Sequence, residues 1–198
     1  MKSLSFFGFL IIALTLFAQD NWKLEREKNG IKVFTRKTAK ASMKESKTEI
    51  YLKGSPEELV KFFKDVNNHK TWMHRISTSK LLKKLNENEF HAYYIASAPW
   101  PVSNRDAVVH YKIQKEDSGN YIIVATGIPS EMPEVKGLVR IPKLFATWEF
   151  LKQPNGTTKI IYTSLSEPGG SIPEWLANSG ATDTPFNTVA ALRAKVEK

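Results

Sequence analysis

The sequence predicts an α+β fold: a mostly antiparallel sheet followed by a long C-terminal helix. Three observations carry this. Between residues 78 and 166 the chain falls into successive segments in which apolar and polar side chains alternate, the period of a half-buried strand. Helix-start signatures, with Ser, Pro and Glu close together, occur at 55–58 and again at 171–174. No repeat, linker or low-complexity segment divides the 198 residues, a length that suits one domain with a sizeable core.

Taken in order, residues 22–37 read as two short strands around the Asn29-Gly30 turn, with Ile31, Val33 and Phe34 following it. Residues 44–52 form a third strand, polar for most of its length. Ser55 caps a helix, Pro56 suits its first turn, and Glu58 closes a capping box; Leu59, Phe62 and Phe63 then share one face. Residues 69–73 make a short helical or irregular turn. Strands are expected at 79–86, 90–97, 105–116, 120–127, 143–153 and 157–166, with Asn155-Gly156 as a tight hairpin between the last two. Alternation sets directions: Val109, Tyr111 and Ile113 lie on one face, His110, Lys112 and Gln114 on the other. Trp148 and Phe150 likewise oppose Thr147 and Glu149, so one sheet face is aromatic and the other wet. In the last helix Ser171 and Glu174 read as a second capping box, with Pro173 in the first turn. Trp175, Phe186, Val189 and Val196 fall roughly on one stripe. Pro185 lacks a backbone donor and is expected to kink that helix near Ala181.

Composition excludes several classes. With no Cys there is no disulfide, no thiol chemistry and no cysteine zinc site. Eleven Phe, six Tyr and five Trp make the chain globular rather than disordered. Residues 1–18, with Lys2 ahead of an apolar run from Phe6 to Phe17 and Ala18 before Gln19, read as a secretory signal peptide. The run is too short for a spanning helix; an uncleaved N-terminal anchor is the alternative. Residues 19–198 are then the folded domain, and loss of Lys2 takes the net charge from +9 to +8. That sign favours anionic partners such as lipid headgroups. No block of five like charges occurs, so the same Lys residues also suit a scattered, solvated surface.

No catalytic constellation stands out. His69 and His74 sit in a polar turn. His91 and His110 lie in separate strands, where a shared metal competes with the simpler reading of two outward histidines. There is no GxSxG elbow and no GxGxxG loop. Gly169-Gly170-Ser171 suits a turn and cap, and Glu167 and Glu174 have roles at a helix start. The sequon at Asn155-Gly156-Thr157 coincides with a hairpin turn. Aromatics segregate to one sheet face and Lys to the other, which is core patterning and argues against nucleic-acid binding. Two loops remain. Residues 97–104 hold Trp100 between prolines, and 127–139 hold Met132 beside Pro133. Two stiffened loops with apolar tips beside an aromatic sheet face suggest the mouth of a pocket.

Three stretches, APWPVSNRD at 98–106, MPEVKGLVR at 132–140 and EPGGSIPEWLAN at 167–178, occur in an order that resembles the START family, the lipid-transfer domains related to steroidogenic acute regulatory protein. Trp72 is similar to the family's Trp after the second helix, and Arg105-Asp106 to the pair that opens a central strand. Gly137 and Arg140 are in register with its loop-and-strand motif; Gly170, Pro173 and Leu192-Arg193 also fit. The resemblance covers about 22–195 and implies the helix-grip fold, a curved antiparallel sheet around the long C-terminal helix with a lipid-sized tunnel between. Some sterol-binding members carry an acid–Arg pair at positions that fall on Ala92 and Tyr111 here, so a sterol ligand is not implied. The family's leading helix also lacks a counterpart.

The resemblance implies a lipid or hydrophobic-ligand carrier; most members are intracellular, and here the segment 1–18 makes it a secreted, bacterial-type one, periplasmic or extracellular. It would be monomeric, without cofactor or metal, and in transient contact with membranes. The alternatives are a helix-grip enzyme of cyclase or hydrolase type, and a ligand sensor. The expected lining comprises the strand positions Ala92, Tyr94, Val109, Tyr111, Trp148 and Tyr162. Trp100 and Met132 at the loops, Arg140, and Trp175 and Phe186 of the final helix complete the candidate site. Arg105 is expected to be structural, satisfied by Asp106 or a nearby carbonyl.

Overall fold

The computed structural model describes residues 21–39 and 43–197; the expected signal segment lies outside them. Strands β1 (Lys23–Lys28), β2 (Ile31–Arg36) and β3 (Glu45–Lys53) form a meander. Helix α1 (Pro56–Phe63) follows, then a 3-10 turn (Val66–Thr71), and the chain crosses to the far edge of the sheet. There β4 (Ile76–Asn86), β5 (Glu89–Ala96), β6 (Arg105–Lys115) and β7 (Tyr121–Gly127) run back as antiparallel neighbours. A 3-10 turn (Pro129–Glu131) and the two-residue β8 (Val139–Arg140) lead to β9 (Lys143–Lys152), β10 (Thr157–Glu167) and the long helix α2 (Glu174–Val196). β10 closes against β3, giving the order β1-β2-β3-β10-β9-β7-β6-β5-β4. This is the α+β, helix-grip arrangement expected: one antiparallel sheet carrying a C-terminal helix.

Local chemistry explains the elements. The turn at Asn29-Gly30 has both residues in the left-handed region, φ 52° and 72°, which an Asn-Gly pair tolerates. The α1 capping box forms in full: Ser55 Oγ accepts from the Glu58 amide, and the Glu58 carboxylate accepts from the Ser55 amide at 2.8 Å. α2 differs from expectation. Pro173 is its N-cap and no side chain caps it, so Ser171 stands outside the helix. The helix continues through Pro185. Its buried face comprises Ala181, Pro185, Phe186, Val189 and Leu192, at helical spacing, and packs on β2 and β3.

Two further differences concern segments read as loop. β4 starts at Ile76, three residues early, with a register shift between Ile76 and Thr78. Val139 and Arg140 pair in parallel with Arg105 and Asp106. β8 thus takes up the edge of β6 ahead of the point where β7 begins to pair, and Arg105 to Val109 are buried in succession, so alternation is masked there.

The core is aromatic. Phe63 of α1 lies edge-on to Tyr111, Trp148 and Phe150, with ring centroids 5.6–6.4 Å apart, and it also touches His69 and Trp72. His69 is fully buried. Its Nε2 lies 2.6 Å from the Phe63 carbonyl oxygen, which only accepts, so Nε2 carries the proton. Nδ1 therefore accepts from the Tyr94 hydroxyl at 2.8 Å. Burial holds the ring's pKa down at about 4, against the opposing pull of the Phe63 carbonyl.

The second buried device joins β6 to β8. Arg140 Nε and Nη2 donate to the two oxygens of Asp106, both at 2.9 Å, and the Tyr93 hydroxyl donates to the same carboxylate at 3.1 Å. Arg140 also donates to the carbonyls of Pro129, Met132 and Pro133, at 3.1 Å for the last two. One guanidinium thus fastens the whole 129–133 turn to the sheet.

Two outcomes follow from these groups. His69 is protonated more readily in the unfolded chain (6.5) than in the folded one (about 4), so its contribution to stability is complete above pH 6.5 and is lost as pH falls through 4. The total is about 3 kcal/mol. Denaturant titrations of wild type and His69→Gln across pH 7 to 4 should show a shallower decline in the variant; parallel curves would refute the assignment. Asp106→Ala leaves a buried guanidinium without its anion and should cost about 3–5 kcal/mol. The double variant Asp106→Ala/Arg140→Ala should lose clearly less than the two single losses added. Strict additivity in melting experiments would mean the pair is not coupled.

Candidate ligand-binding cavity

The inner face of the sheet is assembled by cross-strand register. Tyr111 of β6 stands opposite Ala125 of β7, Ala125 opposite Ala146 of β9, and Ala146 opposite Ser164 of β10. Tyr94 of β5 stands opposite Ala107. Small residues in these rows leave space that large ones would fill. α1 occupies the end of the sheet at Trp148 and Phe150, and α2 covers β2 and β3. Between them lies a cavity of about 220 Å³.

Its floor is Ala96, Ala107, Ala125 and Ala146 with Tyr94, Val109, Tyr111, Trp148 and Tyr162. Met73, Ile76, Ile141 and Leu144 extend the apolar wall, and α2 contributes Gly180, Thr184, Pro185 and Thr188. Trp148 and Tyr162 stack at 3.9 Å between centroids. The lining is chiefly apolar, with polar groups gathered in two places.

The first is the tyrosine end. Burial pushes the hydroxyls of Tyr94, Tyr111 and Tyr162 up, so all three stay neutral at pH 7. Tyr94 is held from behind by His69. The second place is where β6 begins. Arg105 donates from Nη1 to the Ser103 carbonyl and from Nη2 to the Gly169 carbonyl at 3.3 Å, while its Nε has no partner. So nearby carbonyls hold Arg105, and Asp106 turns instead to Arg140. The two guanidiniums diverge accordingly: burial alone pushes Arg105 down, whereas the hydrogen bond to Asp106 raises Arg140. His74 also lines the cavity; burial, then the nearby Arg75, lowers it and favours the neutral ring.

Of the residues singled out in the sequence, Tyr94, Val109, Tyr111, Trp148 and Tyr162 meet in this cavity. Arg140 does not reach it, because its donors are engaged by Asp106 and the 129–133 carbonyls. Ala92 is sealed in the core opposite Val109, and Phe186 packs beneath the Arg26 guanidinium, 3.5 Å from its ring centre. Trp100 is 93% exposed on its loop. Met132 is half-buried, and its carbonyl serves Arg140. Trp175 falls in the first turn of α2, and its side chain is not among those described. His91 and His110 lie side by side on the outer face, each taken by a glutamate: Glu131 at 2.9 Å and Glu89 at 2.8 Å. Among the described residues no group of three or more His, Cys, Asp or Glu could hold a metal.

Sequence reading passed over Arg105, His74 and the four alanines as lining. The signal for Arg105 was present: it shares the parity of Ala107, Val109 and Tyr111 on β6. The alanines become meaningful only once their cross-strand neighbours are known.

Comparison with known proteins agrees with this geometry. The family model described as "START domain" matches residues 11–198. An uncharacterized protein of Pseudomonas aeruginosa is 34% identical over 179 residues, covering 90% of this chain and 88% of that protein. Phosphatidylcholine transfer protein of Mus musculus is 27% identical over 168 residues, covering 81% and 77%. Among solved structures, a STAR-related lipid transfer protein fragment from Xanthomonas axonopodis superimposes with a TM-score of 0.84 at 36% identity, covering 90% of this chain and all of that one. The Zhui aromatase/cyclase from Streptomyces, with a TM-score of 0.55 at 8% identity over 78% of this chain and 94% of that one, shares the fold alone. The register-built cavity under a C-terminal helix and the match along nearly the whole sequence lead to one conclusion: this chain belongs to the START domain family.

Proposed function

We propose that the protein is a carrier that takes a lipid or another hydrophobic ligand into this cavity and releases it at a membrane. The observation that carries the reading is the partly open, chiefly apolar space between the alanine rows and α2. Moving apolar surface into it gains about 0.8 kcal/mol per methylene relative to water, so it can compete with a bilayer. The lipid-transfer names among the relatives support the same reading.

The cavity is smaller than the roughly 300–1,000 Å³ usual for sites that enclose drug-sized ligands. A two-chain lipid therefore requires the walls to part. The sheet is hydrogen-bonded from edge to edge, whereas α2 has Gly180 and Pro185 five residues apart where it borders the cavity. Bending α2 there, together with movement of the 97–104 and 127–139 loops, opens the site at least cost. Trp100 at its loop tip and the basic surface suit brief contact with an anionic bilayer.

An enzyme acting on a hydrophobic substrate is the runner-up, since the Tyr94–His69 pair borders the cavity. General acid–base work is best served by a pKa near the working pH. Burial moves Tyr94 and Tyr111 up and His69 down to about 4, which favours the carrier.

Native mass spectrometry of the purified protein should reveal a co-purifying amphiphile; consistently empty protein that also fails to accept lipid from vesicles would sink the reading. At Gly180 a Cβ would meet only Met43 Cε, at 3.5 Å, so Ala fits. Gly180→Ala should stabilise α2 by about 1 kcal/mol and slow lipid exchange between vesicles. An unchanged exchange rate with a raised melting temperature would place the gate elsewhere. Export is part of the proposal: expressed from its full sequence in a bacterial host, the protein should be recovered outside the cytoplasm with Gln19 as its first residue. Recovery with residues 1–18 intact would support the anchor instead.

A further inference from the structure

We propose that Arg105 is the recognition group for an anionic headgroup, so that the cavity selects amphiphiles ending in a carboxylate or a phosphate. The inference rests on the carrier reading and adds the ligand's chemical class.

Arg105 is 6% exposed, lines the cavity and lies on the inward parity of β6 with Ala107, Val109 and Tyr111. No carboxylate among the described residues pairs with it. Its neighbour Asp106 also borders the cavity, but it has the opposite strand parity and both its carboxylate oxygens are engaged by Arg140 and Tyr93. Of the two buried guanidiniums only Arg140 has a carboxylate partner among the described residues, and the unbalanced charge is the one at the cavity. The carbonyls of Ser103 and Gly169 take two of the Arg105 donors, and Nε–H is left without an acceptor. A buried cation that lacks both a counter-ion and one hydrogen bond is costly. An oxyanion supplies both.

The remaining lining suits such a ligand. His74, Ser164 and Ser166 supply further polar groups to the cavity wall. From Arg105 to Tyr111 the inward positions of β6 run past Ala107 and Val109 for about 20 Å, an apolar path for a chain. The Gly169-Gly170 turn closes over Arg105: both glycines have positive φ, 67° and 59°, and a Cβ on Gly169 would come within 3.0 Å of the Arg140 carbonyl oxygen. Only glycine permits that approach without strain. The turn leads directly toward α2, so the headgroup position lies beside the helix assigned to the gate.

Decanoate, decyl phosphate and 1-decanol share a chain and differ in the headgroup, so their affinities by titration calorimetry isolate it. The wild type should bind at least one anion roughly tenfold more tightly than the alcohol, and the anion with the larger preference identifies the source as a carboxylate or a phosphate. In Arg105→Gln that ratio should fall toward one while 1-decanol affinity holds, a pattern that a general loss of stability would not produce. If the Gln variant does not fold, the Arg105 Nε–H resonance of the labelled wild type replaces it: it should shift with the favoured anion and not with 1-decanol. Equal wild-type affinities, an undiminished ratio in Arg105→Gln, or an unmoved resonance would overturn the headgroup role and leave the carrier standing. Failure of all three compounds to bind would remove both.

Discussion

Asp106 and Arg140 meet out of water, through two parallel hydrogen bonds of 2.9 Å, and the mouth of the cavity is organised around how that pair is closed. Arg140 can reach Asp106 because β8 runs parallel to the start of β6. Its remaining donors then hold the 129–133 turn, so one ion pair positions both a strand and the loop beyond it. The pair also has a consequence for its neighbour. With Asp106 committed, Arg105 is left to backbone carbonyls, and a cation remains on the cavity side of the strand. The charge of the site thus stems from a structural bond at the adjacent position of β6.

The cavity itself comes from side-chain volume rather than from a gap in the backbone. The sheet is continuous, and its inner face alternates bulk along the rows as well as along the strands: Tyr111 beside Ala125 and Ala146, Tyr94 beside Ala107. Interiors pack to near-crystalline density, so space persists only where neighbours cannot collapse into it. Here the aromatic cluster around Phe63 props one end, and α2 spans the other. The rigid sheet keeps the floor, and α2 is the wall with its own weak points at Gly180 and Pro185.

The two polar ends have different characters. At the tyrosine end, three hydroxyls and one imidazole are neutral because burial disfavours their charged forms, and His69 is spent on orienting Tyr94. Such groups orient a ligand without drawing charge. At the arginine end a guanidinium cannot escape its charge by losing a proton. An amphiphile lying along β6 is therefore read at one end by shape and at the other by charge.

Much of this was legible in the sequence because the rules involved are local. Period-two alternation in 105–116 and 143–153 placed Tyr111 and Trp148 on one face, as backbone geometry requires of any strand. The turn at Asn29-Gly30 and the capping box at Ser55 and Glu58 follow from the conformational preferences of those residues alone. Ser171 carried a similar signature, but α2 starts only after Pro173, with no side-chain cap at that residue. Interactions across long separations were beyond such rules. Asp106 pairs with Arg140 rather than with the adjacent Arg105, and Ala125 matters because Tyr111 and Ala146 flank it. The sequence by itself determined the main elements, most of their faces and the family. The tertiary structure decided which buried charges were balanced and where space remained, because both depend on which strands become neighbours.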